Sequence, residues 1–280
     1  MAVSKHKRMT VGDLRALKGK RQLTMLFVET LDEAAAAAAA GIDILSIVEP
    51  VWSPQMREAA GDCFVQVGLI YGQRCTYEDY LRAAHAGIMT GGDAFYCAGS
   101  LDTIAKLAAE GVPVVGHVGL IPARATWTGG FKAVGRTAAQ ALSVYQHVKA
   151  LEAAGAVGAE IEVVPARVAT EISKRTSLIL MSMGAGSGCD AQYLFAEDVL
   201  GYTRGHKPRH AKVYRDFRTE LDRLQDERIA AFKEFRADVE SGAYPEEKHS
   251  VPIEDAEFEA FVKELGTRGA DPRRFWNTPV

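Results

Sequence analysis

Between Leu23 and Phe195 the chain alternates short apolar runs with helix-forming stretches, and no other feature restricts its fold as strongly. The runs are Leu23–Val28, Ile42–Val48, Cys63–Ile70, Ala94–Cys97, Val112–Val115, Ala159–Val164 and Leu178–Met183, with a weaker one at Gln192–Phe195. A strand wetted on one face alternates apolar with polar residues. A short, nearly unbroken apolar run instead fits a strand buried on both faces, as in a parallel sheet covered by helices.

The intervening segments carry helix signals. Leu31–Gly41 is alanine-rich, with Thr30 as N-cap and Asp32 and Glu33 in the first turn, where acidic side chains oppose the helix dipole. Its alanines predict close packing on the sheet. Thr76–Thr90 opens on a variant capping box, Thr76 with Asp79. Ser100–Gly111 and Thr137–Gly155 both close on glycine. Strands and helices in strict alternation predict an α/β fold, a (β/α)8 barrel. After Gly201 the character changes. Arg209–Val239 is highly charged, with Val213, Phe217, Leu221, Leu224, Ile229, Phe232 and Phe235 at roughly helical spacing. The expected organisation is one barrel domain over residues 1–280, of which 209–280 form a helical extension packed on the barrel or on a neighbouring subunit.

With 280 residues the chain is long enough for such a barrel. A formal net charge of −3 offers no general attraction for nucleic acid or an anionic membrane. No run approaches the ~20 apolar residues of a membrane span, and the basic start, Met1 to Arg8, leads into no apolar segment of a secretory signal. Cys63, Cys75, Cys97 and Cys189 are scattered, which fits free thiols in a reducing cytoplasm better than disulfides or zinc.

In parallel-sheet enzymes the chemistry sits at the carboxyl ends of the strands. Glu160 and Glu162 lie two apart in one run, so both point to one face while Ile161 and Val163 point to the other. The apolar pair suits the helix side, which turns both carboxylates into the barrel. Buried carboxylates need a partner or a task, so they read as a base or metal ligands, the alternative being a structural ion pair. Glu49 follows the second run and His117 the fifth. Each is open to a site role or to a bland one, a solvated loop acid or a hydrogen-bonded structural histidine. Gly184–Gly188 is either an anion cradle or a tight turn.

Several segments, taken in order, carry a family resemblance. They are Thr10–Leu14 and Thr24–Leu26 near the start, Gly116–Pro122 with the loop Gly129–Arg136, and Glu162–Ala166 (EVVPA). Gly184–Gln192 and Ser241–Pro245 with His249-Ser250 complete the set. In this combination the chain resembles the ketopantoate hydroxymethyltransferases over nearly its whole length. The resemblance implies a (β/α)8 barrel of the phosphoenolpyruvate/pyruvate type assembled as a decamer. It also implies Mg2+ bound by two aspartates, and transfer of a one-carbon unit from 5,10-methylenetetrahydrofolate to a branched 2-oxo acid in pantothenate biosynthesis. By position, Glu162 corresponds to the family's base. His117, Tyr96 (where the family has a substrate-contacting lysine) and Glu160 become expected substrate contacts, and Lys132 and Arg136 belong to a lid loop. The metal positions depart from the pattern. Glu49 stands where the first aspartate is expected, Gly68 where the second is, and Ala98 replaces a glutamate near the metal. Glu49, helped by Glu160 from across the barrel, is the remaining candidate ligand. Two other functions stay open: a C–C lyase or aldolase acting on another 2-oxo acid, and a ligand-binding barrel without turnover.

Overall fold

The computed structural model describes residues 8–267. Strands β1 (Leu23–Phe27), β2 (Ile44–Val48), β3 (Phe64–Gly68), β4 (Ala94–Tyr96), β5 (Val114–Gly119), β6 (Gly158–Glu162), β7 (Ile179–Met183) and β8 (Ala191–Phe195) pair in parallel and in chain order. β8 returns to β1, so the sheet closes into a barrel. Helix α1 (Val11–Leu17) precedes the first strand. The connections hold α2 (Leu31–Ala39), α3 (Pro54–Ala59), α4 (Tyr77–Met89), α5 (Leu101–Ala109), α6 (Ala125–Thr128), α7 (Ala138–Ala153) and α8 (Ala166–Ser173), and α9 (Ala196–Leu200) follows β8. The barrel is the (β/α)8 fold that the alternating pattern predicts.

The caps form where the threonines stand. Thr30 and Thr76 each accept a hydrogen bond from the N3 amide, and the N3 side chains, Glu33 and Asp79, bond back to the cap amides. Aspartate therefore closes the second box as well as glutamate closes the first. Ala34 and Ala37 are fully or almost fully buried against the sheet, as the alanine run requires.

Odd and even strand positions divide the core into two shells. Leu45, Ile47, Val65, Val67, Phe95, Val114, Val118 and Ile161 face the helices. Met25, Ile44, Phe64, Val115, Ile179, Met181 and Tyr193 fill the barrel interior, together with Leu14 of α1. Met9, Val11 and Leu17 pack on the same interior cluster. Just after α1, the Lys18 Nζ donates to the Leu178 carbonyl (2.9 Å) and to Asp190 Oδ2 (2.6 Å), and Asp190 also accepts from the Leu180 amide (2.8 Å). Leu178 and Asp190 immediately precede β7 and β8, so α1 lies across the amino ends of the strands as a floor.

One strand departs from the sequence reading. The fifth apolar run was expected to end at Val115, with His117 beyond it, yet β5 runs on to Gly119 and His117 is inside the barrel wall. Gly116 does not break the strand. It lies where a Cβ would stand 2.7 Å from Leu151 of α7, so its bareness admits the helix rather than ending the sheet.

The chain divides into a unit ending at Arg218 and a second beginning at Thr219, later than the change in character at Arg209. The second unit contains nearly all of the 25-residue α10 (Phe217–Ser241), a single helix, and α11 (Asp255–Thr267). Along α10 the apolar side chains Phe232, Phe235 and Val239 are exposed.

Candidate active site

Above its apolar floor the barrel interior turns polar. Ser46, Gln66, His117 and Glu160 are buried side chains on the inner faces of β2, β3, β5 and β6. The register pairs Ser46 with Gln66 and His117 with Glu160. Two residue pairs nearer the mouth, Gly119 stands beside Glu162. The two glutamates share the inner face, as their spacing predicts, and His117 links them. Its Nε2 is 3.2 Å from Glu162 Oε2, and its Nδ1 lies 3.6 Å from Glu160 Oε2 and 2.8 Å from the Tyr96 hydroxyl. The Nε2–Glu162 approach is a close electrostatic contact, not an aligned hydrogen bond. With Nδ1 engaged by the Tyr96 hydroxyl, the ring turns its Nε2 edge toward Glu162.

The two carboxylates differ in access and therefore in what they can do. Glu160 has 7% of its side chain exposed and accepts a 2.7 Å bond from Gln66 Nε2. Burial pushes its carboxyl up to about 7, against the opposing pull of His117 and Gln66. Glu162 retains 14% exposure at the strand end. The expectation of Glu160 as a substrate contact is therefore corrected. A strand rise of about 3.3 Å per residue sets it two residues deeper than Glu162, where its partners are Gln66 and His117. His117 itself is shut in at 2% side-chain exposure, and Tyr96 holds one of its ring nitrogens. Burial also raises the Tyr96 and Tyr193 hydroxyls well above their ordinary range, so both remain protonated donors.

The chain braces Glu162 from its carboxyl side. Val163 adopts φ 49°, the left-handed region that a β-branched residue rarely enters. Its amide donates to the Met183 carbonyl (2.8 Å), and its carbonyl accepts from the Val134 amide (3.1 Å). The Leu120 amide bonds the Glu162 carbonyl at 2.9 Å. Gly119, at φ 86°, lies so close to that carbonyl that a Cβ would collide with it. Strain of about 1–3 kcal/mol at such a position is held by these surrounding bonds, and it turns the chain directly after the carboxylate.

Lys132 and Arg136 are exposed in the loop between α6 and α7, near the exposed Trp127 and Phe131. The Val134–Val163 bond ties this loop to the end of β6. Gly184–Gly188 is a tightly packed turn. A Cβ at Gly184 would strike His210, and those at Gly186 and Gly188 would strike Ala166 and Thr170, so the glycines there serve packing.

The donor set does not suit magnesium. A hard divalent cation takes oxygen ligands, usually including one or two carboxylates. Glu49, in the turn after β2, is ion-paired with Arg74, Gly68 has no side chain, and Ala98 offers no side-chain oxygen. A cation beside Glu49 would have to displace or stand against a guanidinium. Glu160, the supposed second ligand, is already bound to Gln66. Among the described residues no group of three or more His, Cys, Asp or Glu side chains assembles as a metal shell. The expected metal role of Glu49 is thus replaced by an ion pair.

Reasoning from the sequence missed Arg74, Arg124, Gln66, Ser46 and Tyr193. Gln66 and Ser46 had a usable signal, being polar interruptions in apolar runs at inward positions. Arg124 lies in the turn after β5, where Nη2 donates to the Ala98 and Gly99 carbonyls at 2.9 and 3.2 Å.

Comparison with known proteins accords with this architecture. A sequence model of the family described as ketopantoate hydroxymethyltransferase matches residues 55–247. A 3-methyl-2-oxobutanoate hydroxymethyltransferase of Nitratidesulfovibrio vulgaris is 30% identical over 292 residues, covering 93% of this chain and 91% of its own. A protein of that name from Thermus thermophilus is 34% identical over 267 residues, covering 87% and 99%. Among solved structures, the carboxyl transferase domain from Rhizobium etli pyruvate carboxylase, with oxamate and biotin, shares the barrel fold at a TM-score of 0.50 and 12% identity. That match covers 67% of this chain and 42% of the other. A family match across most of the barrel, with relatives aligned along nearly their full lengths, makes this chain a member of the ketopantoate hydroxymethyltransferase family.

Proposed function

We propose that the chain transfers a hydroxymethyl group to the enolate of a branched 2-oxo acid, 3-methyl-2-oxobutanoate, with 5,10-methylenetetrahydrofolate as the one-carbon donor. The observation that carries this reading is the pair of unequal carboxylates on β6: one sealed against Gln66, the other at the strand end beside His117. Glu162 takes the C3 proton, the electrons of that bond form the C2–C3 double bond, and the negative charge moves to the keto oxygen. Water adds to the methylene carbon of the donor, its two C–N bonds break and tetrahydrofolate leaves, so that the one-carbon unit stands at the formaldehyde level. The enolate carbon attacks it, and the alkoxide formed takes back the proton held by Glu162. A positioned base of this kind contributes about 10²–10⁴-fold. His117, held by Tyr96, keeps the carboxylate oriented toward the mouth. The Gly129–Arg136 loop, tied to Val163, is placed to cover the mouth, with Lys132 and Arg136 offering charge to the acidic tail of the folate. No step is assigned to a metal, because the donor set at Glu49, Gly68 and Ala98 does not fit one. The exposed Phe232, Phe235 and Val239 of α10 support assembly into a homo-oligomer, in which such side chains would be covered.

The test is proton–deuterium exchange at C3 of 3-methyl-2-oxobutanoate followed by NMR, first without folate and then with it. Exchange alone and hydroxymethylated product on adding the donor are the expected results. Exchange followed by C–C cleavage of another oxo acid would favour the lyase reading. Binding without exchange would favour a barrel that does not turn over.

A further inference from the structure

At the carboxyl ends of β2, β3 and β4 the chain has exchanged acidic chemistry for basic. Arg74, from the loop after β3, reaches Glu49 with Nη2 and leaves Nη1 buried with no hydrogen-bond partner. A buried guanidinium donor without a partner is costly, because burial strips its water and nothing replaces it. Arg124, from the loop after β5, spends Nη2 on the Ala98 and Gly99 carbonyls at the end of β4. The two arginines thus anchor at the carboxyl ends of β2 and β4, the strands on either side of β3. Both act on Cys97 between them: burial pushes that thiol up, and Arg74 and Arg124 pull it back. Arg124 also bears on Tyr96, the inward residue whose hydroxyl meets His117. Between these strand ends stands Gly68, which carries no side chain. Gly68 is paired in register with Val48 and Tyr96, and a Cβ there would meet only ordinary contacts, at 3.5 Å or more. A planar guanidinium presents parallel donors that match a carboxylate two to two, which an ammonium does not.

We propose that Arg74 and Arg124 form a carboxylate-binding site at the mouth of the barrel, holding the acid end of an oxo-acid substrate without a divalent cation. The proposal rests on the reading of the substrate as a 2-oxo acid. Arg74 uses its free Nη1 and Arg124 its remaining donors, and Glu49 occupies only the other arm of Arg74. The acid end stays at the β2–β4 rim, which leaves the carbon chain to extend toward Glu162 across the mouth.

The experiment is calorimetric titration of the full-length protein with 3-methyl-2-oxobutanoate, in EDTA and again in excess magnesium. The uncharged 3-methylbutan-2-one serves as the matched ligand without a carboxylate. Expected are equal affinities for the acid in the two buffers, no measurable binding of the ketone, and weakening by about 10- to 100-fold in each of Arg74→Met and Arg124→Met, the worth of a charged hydrogen bond. Arg74→Met strands Glu49 and can disturb folding, so Glu49→Gln is the second variant. It keeps the guanidinium and releases its other arm, and affinity in EDTA should hold or rise. Binding that needs magnesium, loss of EDTA-resistant binding in Glu49→Gln, arginine variants that bind like the parent, or no binding of the acid in either buffer each overturns the assignment. C3 exchange, followed in the same samples, separates this failure from that of the transferase reading. Arginine-dependent binding without exchange leaves the site standing and removes the reaction, and magnesium-dependent exchange does the opposite.

Discussion

Replacing Glu160 by glutamine should stabilise the barrel at alkaline pH and do nothing at acidic pH, and the size follows from the site. In the folded chain Glu160 is buried and titrates at about 7, against 4.5 for an unhindered glutamate. A carboxyl whose folded value is raised holds its proton in the native state when the unfolded chain has lost it. Folding is therefore not penalised below 4.5, is penalised progressively between 4.5 and about 7, and bears the full penalty above. Each pH decade of that window removes about 1.4 kcal/mol, so the penalty levels off at roughly 3 kcal/mol. Glutamine keeps the shape and the acceptor oxygen for Gln66 Nε2, and it cannot ionise. The difference in unfolding free energy between Glu160→Gln and the parent should be near zero at pH 4. It should climb through the window and reach roughly 3 kcal/mol at pH 8, which at this chain length is about 5–10 °C in melting temperature. Urea unfolding of both proteins across pH 4–9, with circular dichroism as the readout, measures that difference directly. A flat difference, or one that grows toward acid, would refute the argument, because the carboxylate would then be charged and favourably paired in the native state.

Glu162→Gln should lower C3 exchange by about 10²–10⁴-fold with little effect on folding, and NMR of the exchanging proton would show it. Val163→Gly should raise stability by about 1 kcal/mol in a urea titration, because glycine enters the left-handed region freely, while slowing exchange as the brace behind Glu162 loosens. Gly68→Asp should fold, since its Cβ meets only ordinary contacts. It should weaken binding of the oxo acid in EDTA by placing a negative charge before Arg74, and calorimetry would reveal the loss. Lys18→Met should cost about 1–3 kcal/mol by stripping the Leu178 carbonyl and Asp190 of a charged donor, read as a lower urea midpoint.

Much of the barrel could be read from residues because its rules are local. Apolar runs mark strands buried on both faces, threonines mark the caps that form, and the spacing of Glu160 and Glu162 puts them on one face whatever surrounds them. What escaped depends on partners distant in sequence. Gly116 looks like a strand end until α7 is seen to press Leu151 against it. Glu160 and Glu162 look equivalent until the register sets one against His117 and deep in the wall, the other at its rim. Glu49 looks like a ligand for a metal until a loop after the next strand delivers Arg74 to it. Arginines in irregular loops have no periodicity, so nothing short of the folded rim distinguishes these two from the chain's other cations.

The floor that α1 lays across the amino ends of the strands, with the packed interior above it, leaves the carboxyl-end mouth as the approach to Glu162. Traffic through it has to be sequential. For the reaction proposed above, an acid whose carboxylate rests at the rim and whose carbon chain extends across the mouth toward Glu162 has to be in place before a larger donor settles over it. A donor that arrives first becomes a stopper. Initial rates should therefore follow a compulsory order with the acid leading, and excess folate should inhibit by covering the mouth before the acid arrives. Product has to leave through the same mouth, so the donor's spent form must depart before the extended acid can.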